Sequence, residues 1–209
     1  MNDDSSIRAA IFDLGGVIID IRIEEMLGRW ARSVGLEQEQ VAAVLSADTR
    51  HHPLERGEIS IRDYHAHLVN RMGRPLSFEE FLRGWNTIFG DLLPGVTGLL
   101  AQCRRFLRVV ALSNTNAVHA DVWRVRYADI LGHFERIFVS HEMGARKPEP
   151  ECFRQVLEYL AVAPQRVVFI DDCAENVEAA VRLGMKGIVA TGAVETARRL
   201  RDMGVPLDA

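Results

Sequence analysis

The sequence predicts an α/β fold: a doubly wound, Rossmann-like parallel sheet with a small helical cap inserted after strand one. Three observations predict it. Short runs that are apolar throughout, without alternation, recur along the chain, as in parallel strands covered on both faces. Helical patterns separate the later runs, which implies strand–helix alternation with right-handed crossovers. One interval of about seventy residues carries helical patterning and no strand signal, which is too long for a simple connection.

The first strand is IRAAIFD (7–13). The long interval then reads as the helices EEMLGRWARSVG (24–35), EQEQVAAVLS (37–46), IRDYHAHLVNRMG (61–73) and FEEFLRGWNTIF (78–89). Extra helices packed on the sheet are one reading of it. A cap over 21–93 is the other, and it is preferred because the insertion leaves beside the loop that follows Asp13. The core then comprises 1–20 and 94–209. In it, the helix PGVTGLLAQCRRF (94–106) precedes the second strand, LRVVALS (107–113). ERIFVS (135–140) is the third strand, and PEPECFRQVLEYLA (148–161) is the helix that leads to the fourth, RVVFIDD (166–172). AENVEAAVRLG (174–184) follows as a helix with Gly184 as its C-cap, and KGIVAT (186–191) is a weaker fifth strand.

Composition limits the function. The chain has 209 residues, 48% hydrophobic and 26% charged, as in an ordinary globular protein. A net charge of −4 gives no electrostatic reason to expect nucleic acid or an anionic membrane as partner. No apolar run approaches the ~20 residues of a membrane span, and the acidic start MNDDSS does not read as a signal peptide. Cys103, Cys152 and Cys173 are few and widely spaced, which predicts reduced thiols in a cytoplasmic protein. Cys173 reads as a packing residue, since neighbouring acids disfavour its thiolate.

Ligands of open parallel sheets bind at the carboxyl ends of the strands. At those ends lie Asp13, then Ser113-Asn114-Thr115, then Lys147 after the third strand, then Asp171-Asp172. Taken singly, each has a bland explanation. A strand-end Asp often caps a helix, Asp-Asp is often a solvated turn, and Ser-Asn-Thr is common turn composition. Taken together they converge on one edge and make a shared site. Three clustered carboxylates need a counter-charge, and Mg²⁺ with oxygen ligands supplies it, with the Gly15 carbonyl as a further ligand. Lys147 adds positive charge near both Asp13 and a phosphate. Ser113 and backbone N–H groups in the Gly15-Gly16 and Asn114-Thr115 turns are candidate phosphate donors. Such a set suits phosphoryl transfer, with Asp13 attacking phosphorus to form an aspartyl-phosphate.

FDLGG, LSNT, the Lys147-Pro148 element and FIDD resemble the four motifs of the haloacid dehalogenase superfamily, and the resemblance spans the chain. DLGGVIID, ERGEIS, GWNTIF, LSNTN and GARKPE resemble the branch that includes α-glucose-1-phosphate phosphatases. The resemblance implies Asp13 as nucleophile, Ser113 as phosphate ligand supported by Asn114, and Lys147 as stabiliser of phosphate and nucleophile. It implies Asp171 and Asp172 as metal ligands with the Gly15 carbonyl. Asn176 either orients this last loop or only occupies the first helical turn. HHPLERGEIS (51–60), including Glu55, resembles the loop that family caps point at substrate. Trp85, Asn86 and Trp123 either shape a sugar pocket or are packing residues.

Gly15 departs from the pattern, because most phosphatases of the superfamily carry Asp there for proton transfer. Such help is typically worth 10²–10⁴-fold, or about 3–5 kcal/mol of barrier. A sugar 1-phosphate, whose anomeric hydroxyl is a comparatively acidic leaving group, suffers less from the loss. His51, His52, Glu55, Asp20 and His119 are the candidate substitutes, each with a surface or capping role as the plainer explanation. The expected function is therefore Mg²⁺-dependent hydrolysis of a small phosphate ester such as a hexose 1-phosphate, by a monomer or weak homodimer. The rivals are a metal-independent 2-haloacid dehalogenase and a non-catalytic phosphate-binding or regulatory module.

Overall fold

A computed structural model describes residues 6–208, so most of the polar MNDDSS start, read above as no signal peptide, lies outside the described residues. Five parallel strands form the central sheet: β1 (Ala9–Phe12), β4 (Arg108–Ser113), β5 (Arg136–Val139), β6 (Val167–Asp171) and β7 (Lys186–Val189). Their order is β5-β4-β1-β6-β7, with β1 central and paired in register to both neighbours. Side chains on the central strands alternate between two buried layers. Ala10, Phe12, Val109, Ala111, Val168 and Ile170 enter one hydrophobic core, while Ala9, Ile11, Val110, Leu112, Val167 and Phe169 enter the other. Both faces are covered, and this is why the central strands are apolar at successive positions between their ends.

Helices α1 (Ile23–Val34), α2 (Gln38–Ser46), α3 (His51–Glu55), α4 (Ile61–Met72) and α5 (Phe78–Trp85) fill the long interval after β1. Local signals delimit them. Ser60 with Asp63, and Ser77 with Glu80, form reciprocal capping boxes at the starts of α4 and α5. Gly35 closes α1 in the left-handed conformation. These helices bury a core of their own, in which Trp30 stacks on Phe81 and Trp85 with centroids 5.0 and 5.8 Å apart. Gly84 permits this close crossing, since a Cβ there would overlap the Trp30 indole.

The expectation of no strand in this interval needs correction. β2 (Ile19–Ile21) and β3 (Phe89–Leu92) form a separate antiparallel pair where the chain leaves the core and returns to it. The helix expected over 78–89 accordingly stops at Trp85, followed by a 3₁₀ turn over 86–88. Strands of three or four residues are too short to display alternation, and each finds its ladder partner about seventy residues away.

The remaining helices are α6 (Val96–Cys103), α7 (Ala117–Arg126), α8 (Ala128–Leu131), α9 (Ser140–Met143), α10 (Pro150–Leu160), α11 (Ala174–Arg182) and α12 (Ala193–Asp202). α10 starts with Pro150 in its first turn, and Gly184 takes a positive φ just beyond α11. Cys103 and Cys152 are buried, and burial pushes both thiols up to about 12. Cys173 is exposed, contrary to its reading as a packing residue, because the loop after β6 turns its side chain outward. Among the described residues no helix is long and apolar enough to cross a membrane.

Candidate active site

Three strand ends meet at one edge of the sheet. β1 delivers Asp13, β4 delivers Ser113, and β6 delivers Asp171 and Asp172. Lys147, from the loop after α9, reaches in between them. Its Nζ lies 2.7 Å from the Asp13 carboxylate and 2.6 Å from that of Asp171, and the lysine is 1% exposed. Asp171 is fully buried and further held by the Cys173 N–H at 2.8 Å and the Asn176 amide at 3.1 Å. Asn176 thus orients the last loop.

The charge balance is uneven. Burial pushes the Asp13 carboxyl up to about 7; the Lys147 cation opposes the rise and the Asp171 charge adds to it. Burial works against the Lys147 charge, but its two carboxylate partners prevail and raise it above the usual lysine range. Burial and the adjacent Asp171 raise Asp172 as well. One cation therefore faces three carboxyl groups.

Oxygens of Asp13, Asp171 and Asp172 all lie within 4.8 Å of one another. A cluster of carboxylate oxygens suits a hard divalent cation such as Mg²⁺. Gly16 has φ +74°, and a Cβ on it would overlap the Asp172 carboxylate. The loop thus lets this third acid approach only where no side chain exists. The donor set fits the ion.

Around this centre the sequence-predicted residues take varied positions. Asn114 lines the site, but its side chain clasps the Lys147 backbone, accepting from N–H at 2.8 Å and donating to C=O at 2.9 Å. It therefore fixes the lysine loop. The Gly16 N–H is engaged by Ile19 O at 2.9 Å, and the Thr115 N–H by the Ser140 hydroxyl at 2.9 Å. Two of the turn amides expected to meet phosphate are thus occupied. The Ser113 hydroxyl and the Asn114 N–H have no partner among the described residues. Sequence reasoning missed Ser140, whose buried hydroxyl bonds both backbone groups of Thr115 and braces the β4 loop. Its only signal was its place at a strand end.

The centre opens on a cleft of about 880 Å³ between the sheet edge and helices α1 to α5. Glu55 and Trp85 line it. Glu55 is ion-paired to Arg146 at 2.6 Å, and the neighbouring Arg56 to Glu149 at 2.8 Å. These bridges tie α3 to the loop that carries Lys147. Trp85 stacks on His119 at 4.6 Å as well as on the helical core. The Gly15 position faces Ile21, whose Cγ1 would lie 3.1 Å from a Cβ there. The space a side chain at 15 would enter is bounded by hydrocarbon.

None of the candidate proton-transfer substitutes is both unengaged and set in the cleft. Asp20 pairs with Arg22 at 2.8 Å, and the His51 ring bonds Asp48 O at 2.6 Å. Burial lowers His119 to about 4, and its Nε2 meets Trp85 O at 2.9 Å. His52 is outside the lining of the cleft, and burial lowers its pKa too.

Comparison with known proteins agrees with this geometry. Residues 7–184 match the family model of haloacid dehalogenase-like hydrolases. A D-ribitol-5-phosphate phosphatase from Bacteroides thetaiotaomicron is 26% identical over 86% of this chain and 90% of its own. A sesquiterpene phosphatase from Aspergillus oryzae is 28% identical over 95% of this chain and 97% of its own. A haloacid dehalogenase family enzyme from B. thetaiotaomicron, crystallised with magnesium and inorganic phosphate, superimposes with a TM-score of 0.76 at 26% identity, covering 90% of this chain and 96% of that one. With the acidic centre on its parallel sheet, the cleft above it and a match over most of its length, this chain belongs to the haloacid dehalogenase-like hydrolase family.

Proposed function

We propose that this hydrolase releases phosphate from a small phosphomonoester through an aspartyl-phosphate on Asp13, with Mg²⁺ as cofactor. The observation that carries the reading is the buried Asp13–Lys147–Asp171 chain with Asp172 beside it, opening on a cleft. Asp13, Asp171, Asp172 and the Gly15 carbonyl would hold the ion, which supplies the positive charge that lets a phosphate dianion approach three carboxylates. Lys147 favours the ionised form of Asp13 against its burial and orients the carboxylate. The Ser113 hydroxyl and the Asn114 N–H donate to phosphate oxygens.

In the first step an Asp13 oxygen bonds to phosphorus as the ester P–O bond breaks, and the alkoxide leaves with a proton from water. In the second, water attacks phosphorus, the Asp13 carboxylate is released, and inorganic phosphate departs. With Gly15 in the place of an acid, both proton transfers rely on solvent, so leaving groups of low basicity turn over fastest. The helices at 21–93 act as a cap that excludes bulk water, latched by Glu55–Arg146 and Arg56–Glu149. The enzyme works in the cytoplasm as a monomer or weak homodimer.

A hexose 1-phosphate is the leaving-group expectation from the motifs, and the ribitol-phosphate relative supports a phosphorylated sugar. The sesquiterpene relative supports a hydrocarbon. Phosphoryl chemistry is common to both. The test is turnover of p-nitrophenyl phosphate, whose leaving group needs no proton. Mg²⁺-dependent activity abolished by Asp13→Asn is expected. Background turnover by the wild type would refute the reading, and halide release from a 2-haloacid in EDTA would replace it with dehalogenation.

A further inference from the structure

Resting on that phosphomonoesterase reading, we propose that the cleft binds a leaving group with a hydrocarbon body, so that it selects alkyl or isoprenyl monophosphates by binding, at a chemical rate that the missing acid at Gly15 keeps low. The groups suited to phosphate are gathered at one end, where Asp13, Ser113, Lys147 and Asp172 lie. Beyond them the wall is formed by Ile19, Ile21, Leu27, Leu45, Leu54 and Leu93. Ile23 stands at 50% exposure on the same cleft, an apolar side chain that packing within the chain does not explain.

The polar side chains on that wall already have partners inside the protein. Asp20 pairs with Arg22, Glu55 with Arg146, and the Ser46 hydroxyl donates to Ala43 O. His51 meets Asp48 O, His119 meets Trp85 O, and Asn116 accepts the His119 N–H as the cap of α7. The indole N–H of Trp85 is a buried donor without a partner, and with the Asn116 amide N–H₂ and the second His51 nitrogen it makes a small set against the hydroxyls of a polyol. A sugar placed here would lose water from several hydroxyls and regain few hydrogen bonds. A hydrocarbon loses nothing of that kind and gains by leaving water. A volume of about 880 Å³ is ample for such a chain.

The test is binding to the Asp13→Asn variant with Mg²⁺, read by tryptophan fluorescence, since Trp85 and Trp123 line the cleft. The probes are butyl, hexyl and octyl phosphate, farnesyl phosphate, glucose 1-phosphate, ribitol 5-phosphate and inorganic phosphate. Affinity is expected to rise roughly fourfold for each added methylene, the gain from removing one CH₂ from water. Leu45→Asn is expected to flatten that rise while octyl phosphate weakens relative to inorganic phosphate. Sugar phosphates that bind tighter than octyl phosphate, or an affinity independent of chain length, would overturn the proposal. Because binding is read without turnover, it is judged separately from the phosphatase reading, which the p-nitrophenyl phosphate assay decides.

Discussion

Replacing Asp13 by Asn should stabilise the metal-free protein while destroying its activity. Burial raises the Asp13 carboxyl from 3.8 to about 7, so the folded state holds its proton to a higher pH than the unfolded chain does. Between those values the folded state binds more protons, and stability falls as pH rises through that window. The contribution is intact below the lower value and lost once pH exceeds the upper one. The shift corresponds to about 4 kcal/mol as an upper bound, at 1.36 kcal/mol for each pKa unit. Asn removes the charge and still offers Lys147 an acceptor, so it removes most of that penalty. Urea unfolding in EDTA should show the variant more stable at pH 8 by roughly 1–4 kcal/mol, with the difference much smaller near pH 4. Mg²⁺ should reverse the order by stabilising the wild type through mass action. A variant less stable than the wild type at pH 8 in EDTA would mean that the Lys147 ion pair, not burial, dominates at Asp13.

Lys147→Met leaves two buried carboxylates without their cation, and should cost about 3–5 kcal/mol in urea unfolding at pH 8, less in acid. Gly16→Ala drives a methyl into the Asp172 carboxylate at a positive φ, and a calorimetric titration should show Mg²⁺ binding weakened about 10–100-fold. Gly15→Asp alone meets Ile21 and should gain little turnover on an alkyl phosphate. Paired with Ile21→Ala, which makes room for the acid, it should gain at least about tenfold in kcat.

The core strands were legible because burial on both faces makes their interior positions apolar, a signal that survives without knowledge of partners and is weakest in the edge strands β5 and β7, which begin on exposed Arg136 and Lys186. The strand-end residues Asp13, Ser113, Asp171 and Asp172 were legible for a related reason: polar groups that end apolar runs stand out, whereas Lys147, in the loop after α9, was marked by its motif with Pro148. β2 and β3 were not legible, since three or four residues carry no period and their pairing spans about seventy positions. Nor was the exposure of Cys173, which depends on how one loop turns.

The sequence by itself determined the parallel sheet, the order of its strands' polar ends and the family, because these rest on local pattern and motif. Only the tertiary structure decided which groups were already engaged. The side chain of Asn114 is used on the lysine loop, the Gly16 and Thr115 amides are bonded inside the protein, and Ile21 bounds the space at Gly15. A hydrogen bond or a filled volume belongs to a pair of groups brought together by folding, and no single position in the chain carries it.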